Sequence, residues 1–157
     1  MENVWAKFGS FQISQAYAAG FHGCFDVFSI HPYDRTLTAE PTDWEPPVNV
    51  ATDRQIMVAN GDGAKKIWFT EFGWYADPTA TDPMPAGGVS LAEQATYTTN
   101  FIREITGSYP YVSTVMVYNG VDAGAGTPPD EMYAGILSPS LTPKPVYVAL
   151  AALYGSK

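Results

Sequence analysis

Residues 65–75, KKIWFTEFGWY, place the tightest constraint on the fold. Ile67 to Phe72 is a short apolar and β-branched run closed by Gly73, which reads as a buried strand rather than a helix. One carboxylate, Glu71, interrupts it at its C-terminal end. Burying a carboxylate is costly unless it is paired or used, and parallel α/β folds build their active sites at the C-terminal ends of strands. Glu71 is therefore the leading candidate for a working residue.

The remaining pattern extends this reading along the chain. Ser10 to Ala19 reads as a short helix ended by Gly20 and Gly23, and Asp26 to Tyr33, DVFSIHPY, as a strand stopped at His31 and Pro32. Asp34 to Pro47 holds three prolines, Trp44 and four acids, the composition of a long surface loop. Asn49 to Asn60 has apolar residues at helical spacing, and Gly61 and Gly63 close it before the Glu71 strand. A proline- and glycine-rich loop covers Ala76 to Val89. Ser90 with Glu93 three residues on is the capping-box pattern for a helix running to about Thr106. Val112 to Asn119 is a third strand, followed by a Gly, Ala and Pro loop and a last helix from Lys144 to Tyr154. Three alternations of strand and helix, with the longest loops after the strands, predict parallel βα units.

Composition limits the function. At 157 residues with 46% hydrophobic and 14% aromatic content the chain suits one globular domain, residues 1–157. A formal net charge of −8 disfavours nucleic acid or an anionic membrane as partner and suits a neutral substrate. No run of about 18 apolar residues could span a bilayer. The opening MENVWAKFGS lacks the order of a signal peptide, so a soluble chain is expected, with export left open. The single cysteine, Cys24, lies in an apolar setting and is expected as a small core residue. Two distant histidines offer no metal-ligand spacing, and no cofactor motif is present.

The order DVFSIHPY, IWFTEFGW, a strand ending VYN with Asp122 after it, then GILSPSLTPKPVYVALAAL resembles the C-terminal part of retaining (β/α)8-barrel glycoside hydrolases of the cellulase and β-xylosidase type. The resemblance covers nearly the whole chain. It implies a partial TIM barrel, about strands six to eight with their helices. It makes Glu71 the catalytic nucleophile and sets the H-P-Y strand beside the sugar-binding subsite. Two departures stand out. Val117 and Tyr118 occupy the end of strand eight where the family commonly has a tryptophan, and the family's acid/base, a glutamate after an asparagine on strand four, has no counterpart here.

With a barrel in view, alternation puts Ile67, Phe69 and Glu71 on the axis side and Trp68, Thr70 and Phe72 under the helices. A carboxylate nucleophile suits retaining hydrolysis because it can attack the anomeric carbon and later leave. His31 and Tyr33 share strand parity, so an imidazole could bond a sugar hydroxyl while a tyrosine orients Glu71; a capped strand end with a satisfied core histidine is the competing reading. Trp74 is the best platform for stacking on a pyranose ring, with Tyr118 also after a strand, whereas Trp44 is more simply a chance loop aromatic. Asp34 and Asp122 are weak stand-in acids, and His22 is a surface residue without a role.

Three parallel strands cannot close, so an obligate protein partner or a second copy completing the barrel is expected. The resulting function is retaining hydrolysis of an oligo- or polysaccharide, with the acid/base on a missing or partner segment. The alternative is a carbohydrate-binding or structural subunit of a larger assembly, such as a phage tail or cell-wall complex.

Overall fold

The computed structural model describes residues 9–32, 50–76, 88–124 and 133–155. Among them run α1 (Gly9–Ala18), β1 (Val27–Ile30), α2 (Val50–Ala59), β2 (Lys66–Phe72), α3 (Leu91–Ser108), β3 (Val112–Val117) and α4 (Pro145–Gly155). The three strands pair in parallel in the order β1-β2-β3. Parallel neighbours need a crossover, and α2 and α3 provide it, as the alternation of patterns predicted. The fold class is α/β, and among the described residues the sheet is open, with β1 and β3 at its edges.

Local chemistry sets where the elements stop. Both α1 and α2 end on a glycine in the left-handed region, Gly20 at φ 89° and Gly61 at φ 84°. In each case the next residue's amide reaches back to a carbonyl five residues earlier, Phe21 to Ala16 at 3.0 Å and Asp62 to Met57 at 2.9 Å. This closing motif satisfies the last carbonyls, and only glycine adopts that backbone without a steric cost. At the other end of the scheme, α3 starts with the predicted capping box: Ser90 Oγ accepts from the Glu93 amide, and the Glu93 carboxylate accepts from the Ser90 amide.

The core lies between the sheet and α3. Ile67, Phe69 and Phe72 of β2 are all buried, and Phe101 of α3 stands 6.0 Å from the Phe69 ring and 4.5 Å from that of Phe72. Ile105 and Val112 extend the same cluster, with Phe28, Ile30, Val115 and Val117 packed against it. The same core reaches Ile13 and Tyr17 of α1, and polar contacts tie α1 to the β2 entry. There the buried Tyr17 hydroxyl donates to Asp62 at 3.0 Å and Lys65 pairs with the same carboxylate at 2.9 Å. Burial, and then the Asp62 carboxylate, push the Tyr17 hydroxyl up to about 12.

The burial pattern corrects the alternation expected for β2. Ile67, Phe69 and Phe72 share the helix side, a spacing of two and then three. Pairing shows why: Phe69 faces Val115 but Phe72 faces Val117, so β2 carries one extra residue there, while an opposite irregularity lies between Ile67 and Trp68. A bulge of this kind reverses which face the following side chains take. Ile67 and Phe69 therefore do not line the open face, as simple alternation required. Nor does Trp68 lie under helices; it is partly exposed, and its indole donates to Ser113 Oγ at 3.0 Å. Cys24, expected in the core, is exposed.

The Phe101 ring touches both β2 phenylalanines, so Phe101→Ala should cost about 3–5 kcal/mol in a urea titration. Ser90→Ala should cost about 1 kcal/mol. The Ser90 amide, then its hydroxyl, hold the Glu93 carboxyl below its ordinary value. That part of the cap is present in full above the ordinary glutamate range and fades as pH falls through the lower folded value. The gap between wild type and Ser90→Ala, followed by melts at neutral and acidic pH, should narrow on acidification.

Candidate functional site

The extra residue in β2 decides where Glu71 points. β1 and β2 run in register up to Ile30 opposite Phe69, which would set His31 beside Thr70. With one residue more before Phe72, Glu71 comes to the side away from the core, between two phenylalanines that both face α3. Its Oε2 lies 3.5 Å from His31 Nδ1, and the two side chains are 37% and 50% exposed. The pair thus occupies the C-terminal ends of adjacent parallel strands and is open to solvent, which a buried structural pair would not be. His31 is not a core histidine.

Beyond Phe72 the chain is held to the end of β3. The Tyr118 amide donates to the Phe72 carbonyl at 2.7 Å, and a β-carbon on Gly73 would lie 2.4 Å from the Tyr118 carbonyl oxygen. Only a residue without a side chain allows that approach, so the glycine of T-E-F-G fixes the spacing between the ends of β2 and β3. Tyr118 is half-buried beside it, and its peptide bond to Asn119 is cis.

Trp74 is a correction. Expected as a stacking platform, it is 4% exposed and packs edge-on against Tyr97 and Phe101, with ring centroids at 5.8 and 5.9 Å. An indole with both faces inside the protein has none to offer a sugar. Its carbonyl accepts from the buried Gln94 amide of α3 at 2.8 Å, which ties the strand end to that helix. Tyr33, Asp34 and Trp44 lie outside the described residues. His22 is exposed, with Nδ1 3.3 Å from the Asn60 carbonyl.

Asp122 serves structure. It is 6% exposed, accepts from the Gly135 amide at 2.7 Å and pairs with Lys144 Nζ at 3.0 Å. Lys144 also donates to the Tyr133 carbonyl at 3.0 Å, so the pair clasps the loop after β3 to the approach to α4. Burial lowers the Lys144 ammonium from its ordinary value and the Asp122 hydrogen bond opposes that shift. Sequence reading missed Lys144. The available signal was a lone cation just before the N-terminus of an uncharged helix, where the macrodipole disfavours it unless an acid is near.

Among the described residues no cluster of His, Cys, Asp and Glu could hold a metal ion, and no helix is long and apolar enough to cross a membrane. No protein-family model matches the chain, and no curated protein sequence matches it. Solved structures do. A β-D-glucuronidase from Dictyoglomus thermophilum superposes with a TM-score of 0.62 at 19% identity, over 84% of this chain and 23% of that one. A GH2 β-galacturonidase from Eisenbergiella tayi, bound to galacturonate, gives 0.60 at 20% identity, over 84% and 24%. A family 39 glycoside hydrolase from the gut symbiont Bacteroides cellulosilyticus WH2 gives 0.60 at 26% identity, over 89% and 29%. The chain spans less than a third of the length of each of these. At such identities the likeness is one of fold: the chain is folded like a segment of glycoside hydrolases.

The Asp122–Lys144 clasp can be tested without any substrate. Lys144→Met leaves a buried carboxylate unpaired and should lower unfolding free energy by about 3–5 kcal/mol. The double variant Asp122→Asn, Lys144→Met should recover part of that loss in the same denaturant titration.

Proposed function

We propose that this chain is the nucleophile-bearing portion of a retaining glycoside hydrolase with a (β/α)8 barrel, in which Glu71 attacks the anomeric carbon of an oligo- or polysaccharide. The observation that carries the reading is Glu71 at the end of β2, turned by the bulge to the open side, beside His31 at the end of β1. The fold shared with segments of glycoside hydrolases supports it. One Glu71 oxygen forms an ester bond to the sugar as the glycosidic carbon–oxygen bond breaks, and the leaving oxygen takes a proton from a general acid. Water, deprotonated by the same acid/base, then cleaves the ester. Asp122 is engaged with Lys144 and does not serve as that acid; a glutamate on chain that completes the barrel does, about 5–5.5 Å from Glu71.

The strand edges of β1 and β3, and the partly exposed Trp68 and Met116 that follow the open side, support a sheet that further strands complete. In this reading Tyr118, at the end of β3, borders the bound sugar, and the net charge of −8 supports a neutral substrate.

The test is covalent trapping of the protein in its native assembled form. A fluorosugar with a dinitrophenolate leaving group needs no general acid for its first step, so it should add one glycosyl mass, mapped by peptide mass spectrometry to Glu71. Glu71→Gln should take up none. A wild-type protein that binds oligosaccharide but never forms the adduct would turn the reading towards a binding or structural subunit.

A further inference from the structure

We propose that Gln94, from inside the protein, is a positioning residue for the proposed site: its side-chain amide donates to carbonyls of the segment after β2 and of the segment beside the end of β3, and sets how far apart they stand. The proposal rests on the nucleophile reading above and deepens it.

Gln94 lies near the start of α3 and is 2% exposed. Its Nε2 is 2.8 Å from the Trp74 carbonyl, 3.4 Å from that of Gly135 and 3.5 Å from that of Tyr133. All three neighbours are acceptors, so the nitrogen of the amide faces them and the oxygen turns away. Two N–H protons serve three carbonyls: one goes to Trp74, and the other is shared at longer range between Tyr133 and Gly135. Oε1 is buried with no hydrogen-bond partner. Leaving an acceptor unpaired in the interior is costly, and a methionine of similar length would avoid that cost. Filling space does not account for a glutamine here, whereas donation to the carbonyls does.

Those carbonyls belong to two segments of the candidate site. Trp74 follows Glu71 by three residues. Residues 133–136 run beside the residue after Tyr118: the Asn119 amide donates to the Ala134 carbonyl at 3.2 Å, and the Ile136 amide to the Asn119 carbonyl at 3.0 Å. The Ala76 amide and Lys144 Nζ also reach the Tyr133 carbonyl, each at 3.0 Å. Strand pairing between β2 and β3 ends at Phe72 opposite Val117. Past that point the ladder no longer fixes the spacing, and the Gln94 amide is among the contacts that take over. A shift of an ångström in a reacting group costs about 10²-fold in rate, and it does so without weakening substrate binding in proportion.

The experiment follows inactivation of the native assembled protein by the fluorosugar with a dinitrophenolate leaving group. In this step the bond from the anomeric carbon to the phenolate oxygen breaks, its electron pair leaves with dinitrophenolate, and Glu71 forms the ester. Gln94→Met keeps the length and loses the donor; it should lower the limiting inactivation rate by about 10–100-fold with little change in the half-saturating concentration. Gln94→Glu supplies a readout that packing alone would not move. Burial and the facing carbonyls raise the new carboxyl above the ordinary carboxylate range; its acid form can donate O–H to Trp74, and its ionised form repels all three oxygens. The ratio of this variant's limiting rate to that of wild type at the same pH should therefore be low at neutral pH and climb towards one on acidification. Should Gln94→Met fail to fold, the Gln94→Glu ratio in mild acid carries the test. A Gln94→Met variant with the wild-type limiting rate, even one that melts lower, or a Gln94→Glu ratio flat with pH, overturns the proposal while leaving Glu71 as nucleophile. Absence of any adduct in the wild type removes the nucleophile reading and this proposal with it.

Discussion

The packing of Phe101 against both Phe69 and Phe72 is the contact on which the rest of the structure depends. Two large rings three residues apart on one strand cannot both face the same helix in a regular β-strand, where side chains alternate. Burying both rings is favourable, since each buried phenylalanine contributes about 1.5–3 kcal/mol. The bulge in β2 is how the backbone satisfies both. Its consequence for function is that the polar residues between the rings are displaced from the core, and Glu71 reaches the open side without being buried unpaired.

The same economy of burial organises the loops after the strands. Gly73 lets the end of β3 approach closely, Gln94 binds the Trp74 carbonyl, and Lys144 neutralises Asp122 inside the protein. These are buried polar contacts with partners, and they stiffen the rim on which Glu71, His31 and Tyr118 stand. Trp74 belongs to this rim as ballast, its ring joining the Phe101 cluster. The rim is thus anchored to α3 on one side and to α4 on the other. If the proposed function holds, groups on strand ends tied in this way to the helices would have the preorganised character that electrostatic and covalent catalysis need.

Much of this was legible from residues alone. Apolar runs with glycine and proline boundaries located all three strands, and helical spacing with caps located α1 to α4 within a few residues. The reason is local: Gly20 and Gly61 stop helices by their own backbone freedom, and Ser90 with Glu93 starts one by a hydrogen-bond exchange three residues apart. Glu71 was likewise visible, because a lone carboxylate in an apolar strand is conspicuous. So was the position of His31 at a strand end.

The faces were decided only by tertiary structure. Period-two reasoning assigned Ile67, Phe69 and Glu71 to one side, and it failed because the choice between a regular strand and a bulge is made by Phe101, a partner some thirty residues away in sequence. Trp74 failed as a platform for the same reason: an aromatic after a strand can turn out to substrate or in to a helix, and Tyr97 and Phe101 draw it inward. Lys144 and Asp122, 22 residues apart, acquire their roles only when the fold brings them together. The sequence by itself determined which segments are strands and helices and which residue carries the isolated charge. Where that charge points, and what stands beside it, came from long-range packing, in which burying rings outweighs keeping a ladder regular.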